Sequence, residues 1–299
     1  MSTRPAAAVL AMLEFHPDGG ATLGHRIVEA HDPQLDVMDL AATRGDGIFE
    51  TISIGDGAAQ ALEAHLTRFA HSAALLDLPS PDLDAWRAVV LETAALLGVA
   101  EPDADESFVK IVLTRGIEGG DVPTGWAYAT VSPDYSRVRA EGLRVVLLDR
   151  GYRHDVAHTS PWLLAGAKSL SYAINRSAFR EASRRDADDA LWLSSDGFLL
   201  EGAVSNLIVR SGRKLVTPRI DLGILEGTTQ GDIFTWAEGE GYETSQDLLT
   251  PDDLRASDAA WLVSSVRHAA PIRAIDGEDF PVDHELSDAM NSYLRERTQ

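Results

Sequence analysis

Lys168 stands in Leu164-Ala165-Gly166-Ala167-Lys168-Ser169-Leu170-Ser171-Tyr172, a run of small and apolar residues with no other charge. Apolar surroundings push an amine toward its neutral form, which is the form that attacks an aldehyde to give a Schiff base. Thirty-three positions later comes Glu201, in Leu200-Glu201-Gly202-Ala203-Val204-Ser205-Asn206. A carboxylate at a strand end suits the ring nitrogen of a heterocyclic electron sink, where it holds a proton. Gly223-Ile224-Leu225-Glu226-Gly227-Thr228-Thr229 then forms a turn opening a helix-like stretch. Gly227, Thr228 and Thr229 offer backbone N–H groups and hydroxyls to a phosphate, and Ser264-Ser265 is a second hydroxyl-bearing turn. Arg68, after His65-Leu66-Thr67, supplies a cation. Amine, acid and phosphate cradle together point to pyridoxal 5'-phosphate. Taken singly, each has an ordinary reading. Most lysines are exposed, Glu201 fits a hairpin edge, Gly-Thr-Thr is a common helix cap, and Arg68 fits a surface.

Other chemistry ranks lower. His154 and His158 are four apart, a metal-binding spacing on a helix. Their surroundings are loop-like and no further ligand is evident, so no metal is expected. Neither Glu118-Gly119-Gly120 nor Asp18-Gly19-Gly20 has the pattern of a dinucleotide fingerprint.

The chain has 299 residues, 44% of them hydrophobic, enough for one large or two medium domains. It has no cysteine, which excludes disulfides and thiolate metal sites. A formal net charge of -21 opposes nucleic-acid binding. A local basic cluster for a small anion is compatible with it. No apolar run reaches the roughly 18 residues of a membrane span, so no membrane partner is expected. Ala6 to Leu13 is apolar but ends at Glu14 without a cleavage region, so it reads as a first strand and not a leader. The expected setting is cytoplasmic.

The elements that must position these residues alternate between strand and helix patterns, a mixed α/β class. Strands are expected over Ala8 to Phe15, Gly47 to Ile54, Ser107 to Thr114 and Trp126 to Val131. Helices are expected over Glu63 to Leu76 and from Asp82, a plausible cap, to Leu97. The polar stretch Ser132-Pro133-Asp134-Tyr135-Ser136 marks a break. We expect an N-terminal α/β domain over 1–131, a linker over 132–142 and a cofactor-binding domain over 143–299. The second part should hold strand Leu143 to Leu148 and a helix from about Ser169 to Arg185, with Ala173, Ile174, Ala178 and Ala182 inward. Strands Leu191 to Ser194, Phe198 to Glu201, Val204 to Val209, Leu215 to Thr217 and Ala259 to Ser264 follow, with helices Thr228 to Glu240 and His284 to Arg297.

These motifs also carry a resemblance. Arg44-Gly45-Asp46-Gly47-Ile48-Phe49-Glu50-Thr51, His65-Leu66-Thr67-Arg68-Phe69, the Lys168 segment, Glu201-Gly202 and Gly223 to Thr229 resemble, in order, motifs of the fold-type IV pyridoxal-phosphate enzymes. The resemblance covers nearly the whole chain and is greatest to actinobacterial aminodeoxychorismate lyases. Glu226 stands where proline is common. The resemblance implies a two-domain fold like D-amino-acid aminotransferases, with the cofactor in the interdomain cleft, and a homodimer acting on a small amino-acid-like substrate. It implies Lys168 as the Schiff-base lysine, Arg68 at the phosphate and Glu201 at the ring nitrogen. The activity implied is conversion of 4-amino-4-deoxychorismate to 4-aminobenzoate and pyruvate, in folate synthesis, with Thr51 or Tyr172 delivering a proton. The alternative is an aminotransferase for D-amino acids or branched-chain ones; a third reading is a non-catalytic relative that binds the cofactor. Arg115 is the one arginine in Thr114 to Asp121, where some relatives have two. Arg115 and Arg267 are the candidates for substrate carboxylates, Arg267 being equally readable as a surface residue.

Overall fold

The computed structural model describes residues 7–297. Ala6 and the outermost ends of both expected domains lie outside the described residues. Contacts divide the chain into two units. The first holds the chain up to Pro133, the segment Ala167–Ser171 and the residues from Glu296 on; the second holds Asp134–Gly166 and Tyr172–Arg295.

The first unit comprises β1 (Ala8–Phe15), β2 (Thr22–Val28), α1 (Leu40–Arg44), β3 (Gly47–Gly55), β4 (Ala58–Ala59), α2 (Leu62–Leu75), α3 (Leu83–Ala100), β5 (Ser107–Thr114) and β6 (Thr124–Val131). Its six-stranded sheet runs β2-β1-β6-β5-β3-β4, every pair antiparallel. Side chains alternate across a strand. Ile48 and Ile52 therefore share a face with Val109, Ile111, Ala127 and Ala129, and all are fully buried. Leu66 and Phe69 of α2 and Trp86, Val89 and Val90 of α3 are also fully buried, and Phe69 meets Trp86 edge-on at 4.9 Å. Asp82 caps α3 as expected, its side chain accepting from the N–H groups of Asp84 and Ala85.

In the second unit are α4 (Ser136–Glu141), β7 (Leu143–Asp149), α5 (Val156–Thr159), α6 (Ala173–Arg184), β8 (Asp189–Leu193), β9 (Leu199–Gly202), β10 (Asn206–Ser211), β11 (Lys214–Pro218), α7 (Thr228–Gly239), β12 (Glu243–Asp247), α8 (Pro251–Arg255), β13 (Ala259–Ser264), β14 (His268–Ile275), β15 (Glu278–Asp279) and α9 (His284–Glu296). Its nine-stranded sheet runs β12-β11-β10-β13-β14-β7-β8-β9, with β15 paired to β14. The pairs β11–β12, β14–β7 and β7–β8 are parallel. Ile208, Trp261 and Val263 pack with Ile233 and Phe234 of α7 and Met290 and Leu294 of α9. Leu207, Val209 and Leu262 belong to another cluster, with Leu143, Leu191 and Ile272. A third gathers Val146, Leu200, Leu222 and Ile224 with Ala178 and Ala182 of α6.

Two expectations are corrected. The helix expected from Ser169 begins at Ala173, because Ser169 pairs with Ile48 as an extended edge segment. Ala173 and Ile174 consequently face solvent, while Ala178 and Ala182 are buried as expected. The stretch expected as a linker, 132–142, contains α4, and the two units divide within it at Pro133. Strands β2, β12 and β14 had no place in the sequence reading; β14 carries Pro271, a residue that argues against a central strand. Pro271 pairs with Trp261 on β13, and the ladder with β7 begins only at Ile272, so the missing N–H costs that ladder nothing.

Candidate active site

In the first unit, Lys168 lies on an edge segment beside β3. Its N–H donates to Ser72 Oγ at 3.2 Å, and its carbonyl accepts from the Phe49 N–H at 3.0 Å. Leu170 N–H donates to the Gly47 carbonyl at 2.8 Å. This close approach needs glycine at 47, since a Cβ there would lie 2.7 Å from the Leu113 carbonyl and 2.8 Å from Leu170 Cδ1. Lys168 Nζ sits 4.6 Å from the Phe49 ring centroid. Lys110 Nζ lies 5.6 Å from the same centroid. Lys110 is directly across from Thr51 on β5, so Phe49, Thr51 and Lys110 share one face. Burial pulls the Lys110 ammonium below the usual lysine range.

The opposite face of β3 carries Glu50, fully buried beside isoleucines. Arg68 grips it side-on, Nε to Oε1 and Nη2 to Oε2, both at 2.7 Å. His65 Nδ1 is 2.8 Å from Oε2. Burial pushes Glu50 toward its neutral form, but the Arg68 charge and the bonds from Arg68 and His65 outweigh it, and the carboxyl is held well below its ordinary range. A carboxylate only accepts, so the His65 hydrogen is on Nδ1. Burial holds the imidazole below its ordinary value against the pull of Glu50, with the Arg68 and Lys168 charges adding to the burial effect. His65 is thus neutral, with Nε2 an acceptor. Arg68 is 10% exposed, and its planar group is oriented by Glu50.

In the second unit, Glu201 is the penultimate residue of β9, and its Oε2 accepts from the Leu225 N–H at 3.0 Å. Asn206 Nδ2 donates to the Leu225 carbonyl at 2.7 Å. Gly227 is the N-cap of α7 and provides no side-chain cap bond. A Cβ at Gly227 would collide with Asn206 Oδ1, so any other residue would displace the Asn206 side chain. Thr228 begins the helix; Thr229, 2% exposed, turns its Oγ1 to Ser265 Oγ at 3.4 Å. Ser264 ends β13. Tyr172 is the half-buried N-cap of α6. Burial raises the Tyr152 phenol, Arg150 opposes this, and the Glu201 charge adds to it.

The donor set fits pyridoxal phosphate. A half-buried amine lies against an aromatic ring, a carboxylate is oriented by a backbone N–H, and hydroxyls gather at a helix start without a side-chain cap. Arg115 and Arg267, the candidates for substrate carboxylates, each have an acidic partner within the chain. Arg115 donates to Asp46 at 2.7 Å and to the Leu76 carbonyl at 2.7 Å. Arg267 donates to Asp189 at 2.7 Å. Arg115 and its partner Asp46 are both partly exposed, whereas Arg267 and Asp189 are buried. Glu50, Lys110, Ser205, Asn206 and Asp189 were not singled out as site residues from sequence. Glu50 had a signal: it is a charge at an inward position between Ile48 and Ile52.

Residues 47–275 match the sequence model of the class IV amino-transferases. The chain belongs to that family. It is a pyridoxal-phosphate-dependent class IV enzyme of the fold-type IV architecture. It is 42% identical over 270 residues to the bifunctional aminodeoxychorismate lyase / D-amino acid transaminase of Mycobacterium tuberculosis, covering 87% of this chain and 92% of that one. Among solved structures it is similar to a fold IV transaminase from Curtobacterium pusillum, at 51% identity and a TM-score of 0.94, over 98% of this chain and 100% of that one. A hypothetical aminotransferase from Mycobacterium tuberculosis in its PLP-bound form aligns with a TM-score of 0.87 at 36% identity, over 96% and 97%. No helix among the described residues is long and apolar enough to cross a membrane.

Proposed function

We propose that this class IV enzyme is a lyase that converts 4-amino-4-deoxychorismate to 4-aminobenzoate and pyruvate. The observation that carries the reading is the pair of lysine side chains near one aromatic ring, Lys168 and Lys110 at 4.6 and 5.6 Å from the Phe49 centroid. In an amino acid the carboxylate is on the carbon that bears the amine. In aminodeoxychorismate both carboxylates are farther away. Lys110, near the same ring as Lys168 and without an acidic partner among the described residues, suits a remote carboxylate.

Bound pyridoxal phosphate supplies an aldehyde for the substrate amine and a ring that takes up electrons. Lys168 Nζ then takes the proton from the amine-bearing carbon. Glu201, oriented by Leu225 N–H, holds a proton at the ring nitrogen. Arg68, Thr228, Thr229, Ser264 and Ser265 bind the phosphate, and Gly227 lets the backbone approach it. Thr51 or Tyr172 gives a proton to the departing enolpyruvyl oxygen. Substrate and products have the same atoms, so no water or redox partner enters.

The second reading is transamination of D-amino acids, supported by the bifunctional relative named above. It uses the same Lys168 proton transfer. A homodimer is part of either reading, in a cytoplasmic setting and, for the lyase, in folate synthesis. The test is 4-aminobenzoate release from aminodeoxychorismate, beside turnover of D-alanine with a keto acid. The lyase reading expects rapid release, lost in Lys168→Ala. In Lys110→Met, KM for aminodeoxychorismate should rise about tenfold or more, with less change in kcat or in D-alanine turnover. In the parent enzyme that KM should climb with pH before an ordinary lysine would titrate, because burial favours the neutral amine. No release from protein shown to hold its cofactor would remove the lyase reading.

A further inference from the structure

Arg267 is 9% exposed. Its Nη1 donates to Asp189 Oδ2 at 2.7 Å, and its Nη2 to Ser205 Oγ at 3.1 Å. Asp189 is fully buried at the start of β8, and its Oδ1 accepts from Ala190 N–H at 2.8 Å. A buried charge pair bonded on both sides admits few alternative geometries.

The pair connects two loops. On one side, Ser205 closes the turn that follows Glu201: Gly202 N–H donates to the Ser205 carbonyl at 2.7 Å. A Cβ at Gly202 would collide with Ser205 Oγ, so a side chain there would displace that hydroxyl. The next residue, Asn206, bonds the Leu225 carbonyl, and Leu225 N–H bonds Glu201. On the other side, Arg267 closely follows Ser264 and Ser265, and Ser265 receives Thr229 Oγ1 from the start of α7. The Glu201 turn is thus tied to the α7 approach by Leu225 and to the Ser264–Ser265 loop by Arg267 through Ser205, while Ala203 bonds Ala190 and Asn175.

We propose that Arg267 is a positioning residue, which fixes the Glu201 carboxylate relative to the Ser264–Ser265 and Thr228–Thr229 hydroxyls, and not a ligand of substrate carboxylates. The proposal rests on the reading of Glu201 as the partner of the cofactor's ring nitrogen. Without Arg267, Ser205 loses its donor and Asp189 becomes a buried unpaired acid, so the Ser205 end of the turn is no longer tied to the Ser264–Ser265 loop.

The experiment uses the full chain, freed of cofactor and retitrated with pyridoxal phosphate. The pH dependence of the bound cofactor's absorbance, its Kd and the thermal midpoint are measured for Ser205→Ala, for the double variant Asp189→Asn/Arg267→Met, and for Glu201→Gln. The double variant removes both charges, so no orphaned acid opposes folding; should it fail to fold, Ser205→Ala decides. We expect both to shift the absorbance profile in the direction of Glu201→Gln and to a smaller extent. Cofactor Kd should rise about tenfold in the double variant, and kcat should fall more than substrate KM rises. A lowered thermal midpoint with unchanged absorbance and Kd would overturn the proposal, as would a rise in KM alone. If Glu201→Gln shifts the profile and the other variants do not, only the Arg267 proposal fails. If Glu201→Gln itself leaves the profile unchanged, the reading of Glu201 fails and takes the proposal with it.

Discussion

Glu50 is a charged side chain at the centre of an apolar sheet face, and it survives there because Arg68 and His65 occupy both of its oxygens. Removing one member of a buried pair leaves the other unpaired, at about 3–5 kcal/mol. Glu50→Gln should therefore lower the unfolding free energy by that order in urea denaturation at pH 7. The acid limb should change too. Unfolded Glu50 titrates near about 4.3, and its folded value is lower. Between the two, the unfolded chain binds more protons, so stability rises with pH. The contribution is complete above the unfolded value and is lost as pH falls through the folded one. Wild type should lose stability steadily as pH drops below about 4.3, and Glu50→Gln should show a flatter limb. Parallel limbs would mean that Glu50 is not the titrating group.

At the scale of elements, β3 does two jobs. One face builds the core, and the edge receives the Lys168 segment through Gly47 and Phe49. Gly47→Ala would push a methyl group against the Leu113 carbonyl and Leu170. We expect Gly47→Ala to fold with a thermal midpoint a few degrees lower, at a cost of about 1–3 kcal/mol. Its kcat should fall far more than KM changes, because the amine moves; unchanged kcat would sink this account. Much of this architecture is legible in sequence. The alternation in Gly47 to Ile54 and Ser107 to Thr114, the cap at Asp82 and the apolar stripes of α2 and α3 are local patterns, and they give the elements observed. The edge pairing of Ser169 with Ile48 is not local. Small residues and serines from Ser169 on read as helix because nothing nearby records a partner far away in sequence. Strand β14 was hidden by Pro271 for a similar reason, since only its neighbours show which side needs the N–H. At the candidate site, Lys168, Glu201 and Thr228-Thr229 stand in motifs that can be read along the chain. Lys110 needs register, because its relation to Phe49 exists only across the β3–β5 ladder.

For the whole molecule, the net charge of -21 and the exposed apolar residues of the first unit pull in opposite directions. Val37, Met38 and Ile117 are exposed, and Glu118 N–H bonds the Met38 carbonyl at 3.2 Å, which brings the residues together. We propose that this patch supports the homodimer, while like charge on two copies opposes it. Sedimentation should show the dimer fraction rising with salt from about 0.01 to 0.15 M as repulsion is screened, and Val37→Asp should lower it; a monomer throughout would exclude the dimer. The five residues Ala167–Ser171 raise a different matter, that of dividing the gene. They belong with the first unit although the chain on either side of them belongs with the second. A split at Pro133 would give one polypeptide with the sheet edge but without Lys168, and another with Lys168 but no edge to receive it. Neither fragment could pass the proposed chemistry to a descendant, so the chain can be inherited as this enzyme only in one piece or as two halves that find each other.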